Sequence, residues 1–131
     1  MVSDPIADLI IRMQNAAAIG KENLSVPFSA LKMAVLEKLK ERGYIKYAQI
    51  KGKKVQKTIE IGLLYDKQKN PRITGVARVS KPSRRMYVKS TELYPVKYGK
   101  GSLILSTPKG ILSDDEARKS KTGGEALFKI W

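Results

Sequence analysis

Two adjacent hydroxyls, Ser106 and Thr107, stand between an apolar run, Leu103 to Leu105, and a Pro108-Lys109-Gly110 turn. A hydroxyl both donates and accepts hydrogen bonds. A rigid Ser-Thr pair can therefore read a base edge, a ribose 2′-hydroxyl or a phosphate. The same residues also suit an ordinary turn held by its own side chains. Further on, Gly123 and Gly124 allow close backbone approach. Glu125 beside them could accept from a base amino group or a ribose hydroxyl, or hold the Ser-Thr turn in place.

A second group of candidates lies in Ser80-Lys81-Pro82-Ser83-Arg84-Arg85-Met86-Tyr87, a basic loop with one aromatic. Arginines clamp phosphates through paired N–H donors, and two neighbouring arginines in a loop have little use in a core. Tyr87 offers a face to an unstacked base, or else starts the next strand with its ring in the core. Ser29 and Lys32 open a predicted helix, where backbone N–H groups and the helix dipole favour an anion. A cap beside a solvated lysine reads equally well there.

Composition narrows the classes. The 131 residues hold no Cys and no His, which excludes a disulfide framework, the usual zinc sites and any Ser-His or Cys-His catalytic pair. Residues 51–100 carry 14 basic and 3 acidic side chains, a net +11 of the chain's +14. So concentrated a charge points to a polyanionic partner. Asp114-Asp115-Glu116 could suggest a metal-dependent nuclease, with magnesium dependence of cleavage as the discriminator. Consecutive carboxylates on a helix diverge, however, and the capping box Ser113-x-x-Glu116 accounts for them. No catalytic residue, metal or cofactor is expected. A sequence-tolerant DNA or membrane-surface binder would place its basic residues along a helix, whereas here they fall on hairpins and loops. The Gly99-Lys100-Gly101-Ser102 turn lacks the spacing of a phosphate-binding loop. No apolar run approaches the roughly 20 residues that span a bilayer. The opening Met-Val-Ser-Asp-Pro lacks a basic signal-peptide region, so the cytoplasm is the expected location.

The elements that must position these residues follow from caps and periodicity. Asp4 and Pro5 begin a helix carrying Ile6, Leu9, Ile10 and Met13 on one stripe, stopped by Gly20. Leu24 to Val26 is a brief strand. Ser29 caps a second helix through Leu31, Val35, Leu36 and Leu39 to Gly43. Strands are predicted over 44–50 and 58–65, with Lys51-Gly52-Lys53-Lys54 as a basic hairpin tip. Polar, turn-rich Asp66 to Pro71 separates two units, an N-terminal α/β domain over 1–66 and a C-terminal β-rich domain over 71–131. In the second, strands are predicted over 73–79, 103–105 and 127–131, with a short helix opened by Ser113. The predicted fold class is α+β: helix-strand-helix-strand-strand, closely packed with a mostly β unit containing one short helix.

Ser106-Thr107-x-Lys109-Gly110, then Glu116-Ala117-Arg118, then Gly123-Gly124-Glu125 and a terminal Trp131 resemble the C-terminal signature of the small-subunit ribosomal protein numbered eight. Asp4-Pro5-Ile6-Ala7-Asp8 resembles that family's N-terminus, and the motifs fall in the family's order over the whole chain. One departure is Pro108, which stands where the family commonly has a third hydroxyl. The resemblance implies a structural, non-enzymatic protein that binds the central domain of small-subunit ribosomal RNA on an irregular, bulged helix and helps assemble the subunit platform. It implies a main RNA surface at Ser106, Thr107, Gly124 and Glu125, and secondary contacts at Asp4, Pro5, Ser29 and Lys32. Neighbouring ribosomal proteins five and twelve are implied partners. Several bacterial members also repress their own operon through an mRNA that mimics the ribosomal site.

Overall fold

The computed structural model describes residues 4–53, 55–96 and 100–131. Lys54 of the expected hairpin tip and Gly99 of the expected turn lie outside the described residues. The fold is α+β, with three α-helices and two antiparallel sheets among the described residues. Two compact units divide the chain. One comprises residues 8–74, the other residues 75–131 together with Asp4 to Ala7.

Helix α1, Pro5–Ala18, begins as its sequence dictates. Asp4 Oδ1 accepts from the Ala7 N–H at 3.1 Å, satisfying one of the donors that a helix start leaves unpaired. Ile6, Leu9, Ile10 and Met13 are all buried. In the unit of residues 8–74, strands β1 (Asn23–Pro27), β2 (Ile45–Lys51) and β3 (Thr58–Leu63) form a sheet in the order β1-β3-β2. Helix α2, Ala30–Glu41, packs on β2. Its N-cap Ser29 accepts from the Lys32 N–H at 3.0 Å. The buried stripe of α2 is Lys32, Val35, Leu36 and Leu39. Leu31, placed in this helix by the sequence, lies within it but is exposed. At about 100° per residue it lies roughly a quarter-turn from the stripe's centre.

The other unit carries β4 (Val76–Arg78), β5 (Tyr87–Val88), β6 (Ser102–Thr107), β7 (Gly110–Ser113) and β8 (Gly124–Ile130), with helix α3 (Asp114–Lys119) between the last two. The strand expected over 73–79 shrinks to β4, while β7 was not anticipated. Strand β8 is central. On one side it pairs with β6, and on the other with β4 at its C-terminal half and with β5 at its N-terminal end. Residues 79–86 are therefore an excursion between two pieces of one sheet edge. The excursion leaves where the Ser80 N–H donates to the Ala126 carbonyl at 3.0 Å. It returns where the Met86 carbonyl accepts from the Ala126 N–H at 2.9 Å.

Leu103, Leu105, Ala117, Ala126 and Val96 form a buried cluster in this unit, so α3 covers that face of the sheet. The predicted capping box holds α3: Glu116 accepts from the Ser113 N–H and hydroxyl, at 3.2 and 3.1 Å. Asp114 is buried, accepts from the Leu103 N–H at 3.2 Å and pairs with Arg118 at 3.3 Å. Asp115 also pairs with Arg118. The three consecutive carboxylates thus serve the helix and its junction with β6.

Candidate nucleic-acid interface

Leu105 and Ala126 are paired across β6 and β8 and face α3. Successive strand residues alternate in direction, so Ser106 and Glu125, each one position away, project from the opposite face. Ser106 is in register with Glu125, and Glu125 with Tyr87 on β5. Three polar groups thus form a row across three strands spaced about 4.8 Å apart.

The Ser-Thr pair divides its labour. The Thr107 hydroxyl donates to the Gly110 carbonyl at 2.7 Å and accepts from the Lys109 N–H at 3.1 Å. It holds the β6–β7 turn from within. Pro108 suits the first corner of that turn because its ring fixes φ near −65°. Gly110 adopts φ +107°, a conformation that side chains with a Cβ rarely take. Ser106, one residue earlier and half-buried, makes no side-chain hydrogen bond among the described residues. Its hydroxyl remains able to donate and to accept. Lys109 is exposed at the tip of the turn.

Gly123 and Gly124 bring the backbones together, as their residue type suggests. A Cβ on Gly124 would strike the Ser106 carbonyl oxygen, and one on Gly123 would strike the Val88 carbonyl oxygen. The pair lets β8 sit tightly between β5 and β6.

Glu125 does not hold the Ser-Thr turn. Its Oε2 accepts from the Ser80 hydroxyl at 2.5 Å and from Arg85 Nη1 at 3.0 Å, and Oε1 has no partner among the described residues. Partial burial disfavours its charge. The hydrogen bonds from Ser80 and Arg85, with the positive charge of Arg85 and Arg78, outweigh that burial and hold the carboxyl below its ordinary 4.5. Ser80, quoted in the sequence only as part of a basic loop, is fully buried and also accepts from the Met86 N–H at 3.1 Å. Nothing local could have marked it, since its carboxylate partner lies 45 residues away.

The two loop arginines differ. Arg85 is tied to Glu125 with its side chain half exposed. Arg84 is exposed, its backbone closing a tight turn with Lys81, and its guanidinium has no partner among the described residues. Tyr87 begins β5, as one of its two readings had it, but its residue is 70% exposed. The ring is available for stacking.

The N-terminal candidates are mostly engaged. Arg78 Nε and Nη2 donate to the two oxygens of Asp4 at 2.9 and 3.0 Å, and Arg78 Nη1 donates to the Leu127 carbonyl at 2.5 Å. Burial disfavours the Asp4 charge. The Arg78 and Ala7 hydrogen bonds outweigh it and keep the carboxyl below its ordinary 3.8. Pro5 is the exposed first residue of α1. Lys32 is buried and its Nζ reaches back to the Pro27 carbonyl at 3.4 Å. Ser29 accepts at the α2 N-terminus and keeps its hydroxyl proton to donate. No helix among the described residues is long and apolar enough to cross a membrane.

Comparison with known proteins points one way. A model of the family described as ribosomal protein S8 matches residues 4–131. The small ribosomal subunit protein uS8 of Kosmotoga olearia is 47% identical over 135 residues, covering all of both chains. That of Chloroflexus aurantiacus is 45% identical over 131 residues, covering 99% of this chain and 98% of its own.

Proposed function

The chain belongs to the ribosomal protein S8 family, and from that premise we propose that it is a structural constituent of the small ribosomal subunit that binds its RNA directly. The RNA is a bulged helix in the central domain of small-subunit ribosomal RNA, and binding helps assemble the platform, beside ribosomal proteins five and twelve. The protein acts in the cytoplasm, on the ribosome, and catalyses no reaction. Repression of its own operon follows if the mRNA presents the same bulged stem to the same residues.

One observation carries this reading: the unpartnered Ser106 hydroxyl stands in register with Glu125 and the exposed Tyr87 on a pinned sheet face. A regular duplex hides its base edges in a deep, narrow groove, so side chains at this scale read unstacked bases. Tyr87 stacks, Ser106 donates and accepts, and the Glu125 carboxylate accepts only. Arg84, Arg85 and Lys109 add phosphate contacts around them, and Gly123, Gly124, Thr107 and Pro108 hold the frame. Secondary contacts come separately from Pro5, at the start of α1, and from Ser29, at the start of α2. Asp4 supports the first through Arg78, and Lys32 the second through the Pro27 carbonyl.

The test is a filter-binding titration at physiological salt against a bulged central-domain stem, with a bulge-deleted stem and duplex DNA as competitors. Specific recognition predicts tight binding to the bulged stem alone, lost when the bulge or the two hydroxyls, in Ser106→Ala/Thr107→Ala, are removed. Equal binding to all three nucleic acids would reduce the protein to a polycation.

A further inference from the structure

Ser80 sits at the neck of the 79–86 excursion, fully buried, and both capacities of its hydroxyl are used. It accepts from the Met86 N–H, closing the neck, and donates to Glu125 Oε2, which Arg85 from the same excursion also holds. Its backbone N–H and the Met86 carbonyl meet the two sides of Ala126, next to Glu125 in β8. A carboxylate facing a polyanion is a liability unless it is held where only one lone-pair edge can be reached. Here Oε2 is occupied twice and Oε1 is open.

We infer that Ser80 is a positioning residue of the RNA interface: it locks Glu125 so that Oε1 alone is offered, which selects a hydrogen-bond donor and rejects a phosphate. The inference rests on the RNA reading above. The ligand group is a base amino or a ribose 2′-hydroxyl, both neutral donors. Arg85 shares the carboxylate but is half exposed, whereas Ser80 is fully buried with its hydroxyl held by Glu125 and the Met86 N–H. Loss of Ser80 therefore releases the carboxylate toward phosphate while leaving the cationic contacts in place.

The test is a double-mutant cycle in full-length protein on bulged and bulge-deleted stems, using Ser80→Ala, Glu125→Ala and the pair, with thermal unfolding as the folding control. Ser80→Ala is expected to weaken binding to the bulged stem about tenfold, the scale of one hydrogen bond to a charged group. The salt dependence should keep its slope, and no further loss should appear in the Glu125→Ala background. Equal losses in both backgrounds, or a shallower salt dependence, would overturn the assignment. If Ser80→Ala does not fold, Ser80→Cys, similar in volume and a weak donor, takes its place; a Cys chain that binds like wild type overturns it, as does one that cannot fold. Bulge nucleotides replaced singly by 2′-deoxy forms, or by forms lacking the amino group, separate the two donors. Insensitivity to every replacement would deny Oε1 its role. Wild type that fails to prefer the bulged stem sinks the RNA reading itself. Wild type that discriminates while the two substitutions add sinks only the role of Ser80.

Discussion

The Thr107 hydroxyl donates to the Gly110 carbonyl at 2.7 Å, which removes it from the set of groups free to read a ligand. Ser106→Ala and Thr107→Ala should therefore part company. Ser106→Ala is expected to leave stability within about 0.5 kcal/mol and to weaken binding to the bulged stem. Thr107→Ala should cost about 1 kcal/mol of folding stability through the lost turn bonds. Urea unfolding beside RNA titration measures both, and equal stability losses would contradict this division.

Gly124→Ala places a Cβ against the Ser106 carbonyl, which is backbone and cannot swing aside. The expected cost is about 1–3 kcal/mol, as for other overpacked sites, together with weaker RNA binding because β6 must move. An unchanged melting temperature would mean that β8 has slack which the present spacing lacks.

Asp4 and Glu125 both have carboxyls held below their ordinary values. Each therefore contributes stability above its unfolded-state value, and that contribution is lost as pH falls through the folded value. The loss lies below pH 4.5 for Glu125 and below pH 3.8 for Asp4. Asp4→Asn should cost about 2 kcal/mol at pH 7, since it leaves a largely buried guanidinium poorly paired. Melting temperatures of variant and wild type should then converge as pH is lowered below 3.8. A gap of constant width from pH 7 to pH 2.5 would count against the ion pair as its source.

Arg84 and Arg85 are neighbours with different duties. Arg84→Ala should reduce the slope of log affinity on log salt by roughly 0.7–0.9, one phosphate contact, with no change in folding. Arg85→Ala should in addition raise the Glu125 carboxyl toward its ordinary range, because that residue loses a donor and a positive charge. Carboxyl titration by NMR reads this directly, and identical behaviour of the two variants would refute the distinction.

Local physics was legible in the chain, long-range physics was not. The caps at Asp4, Ser29 and Ser113 act within three residues and were readable from spacing alone. So were the apolar run of β6 and the permissive glycines before Glu125. Strand β7 was missed because Gly110-Ile111-Leu112-Ser113 is too short to show a period. The expected strand over 73–79 shortened because only Val76 to Arg78 pairs with β8 before the chain departs at Ser80. The use of Glu125 stayed ambiguous because its partners, Ser80 and Arg85, stand 45 and 40 residues earlier. Asp4 was legible as a helix cap but its ion pair was not, for the same reason, the guanidinium being 74 residues distant.

That last separation bears on how the protein is made. Asp4 leaves the synthesising ribosome long before Arg78, so the helix cap can form while the carboxylate still lacks its partner. Chain elongation through β4 supplies the guanidinium, and through β8 the Leu127 carbonyl that shares it. The unit of residues 75–131 includes Asp4 to Ala7, so its assembly waits until the chain has been extended through β8.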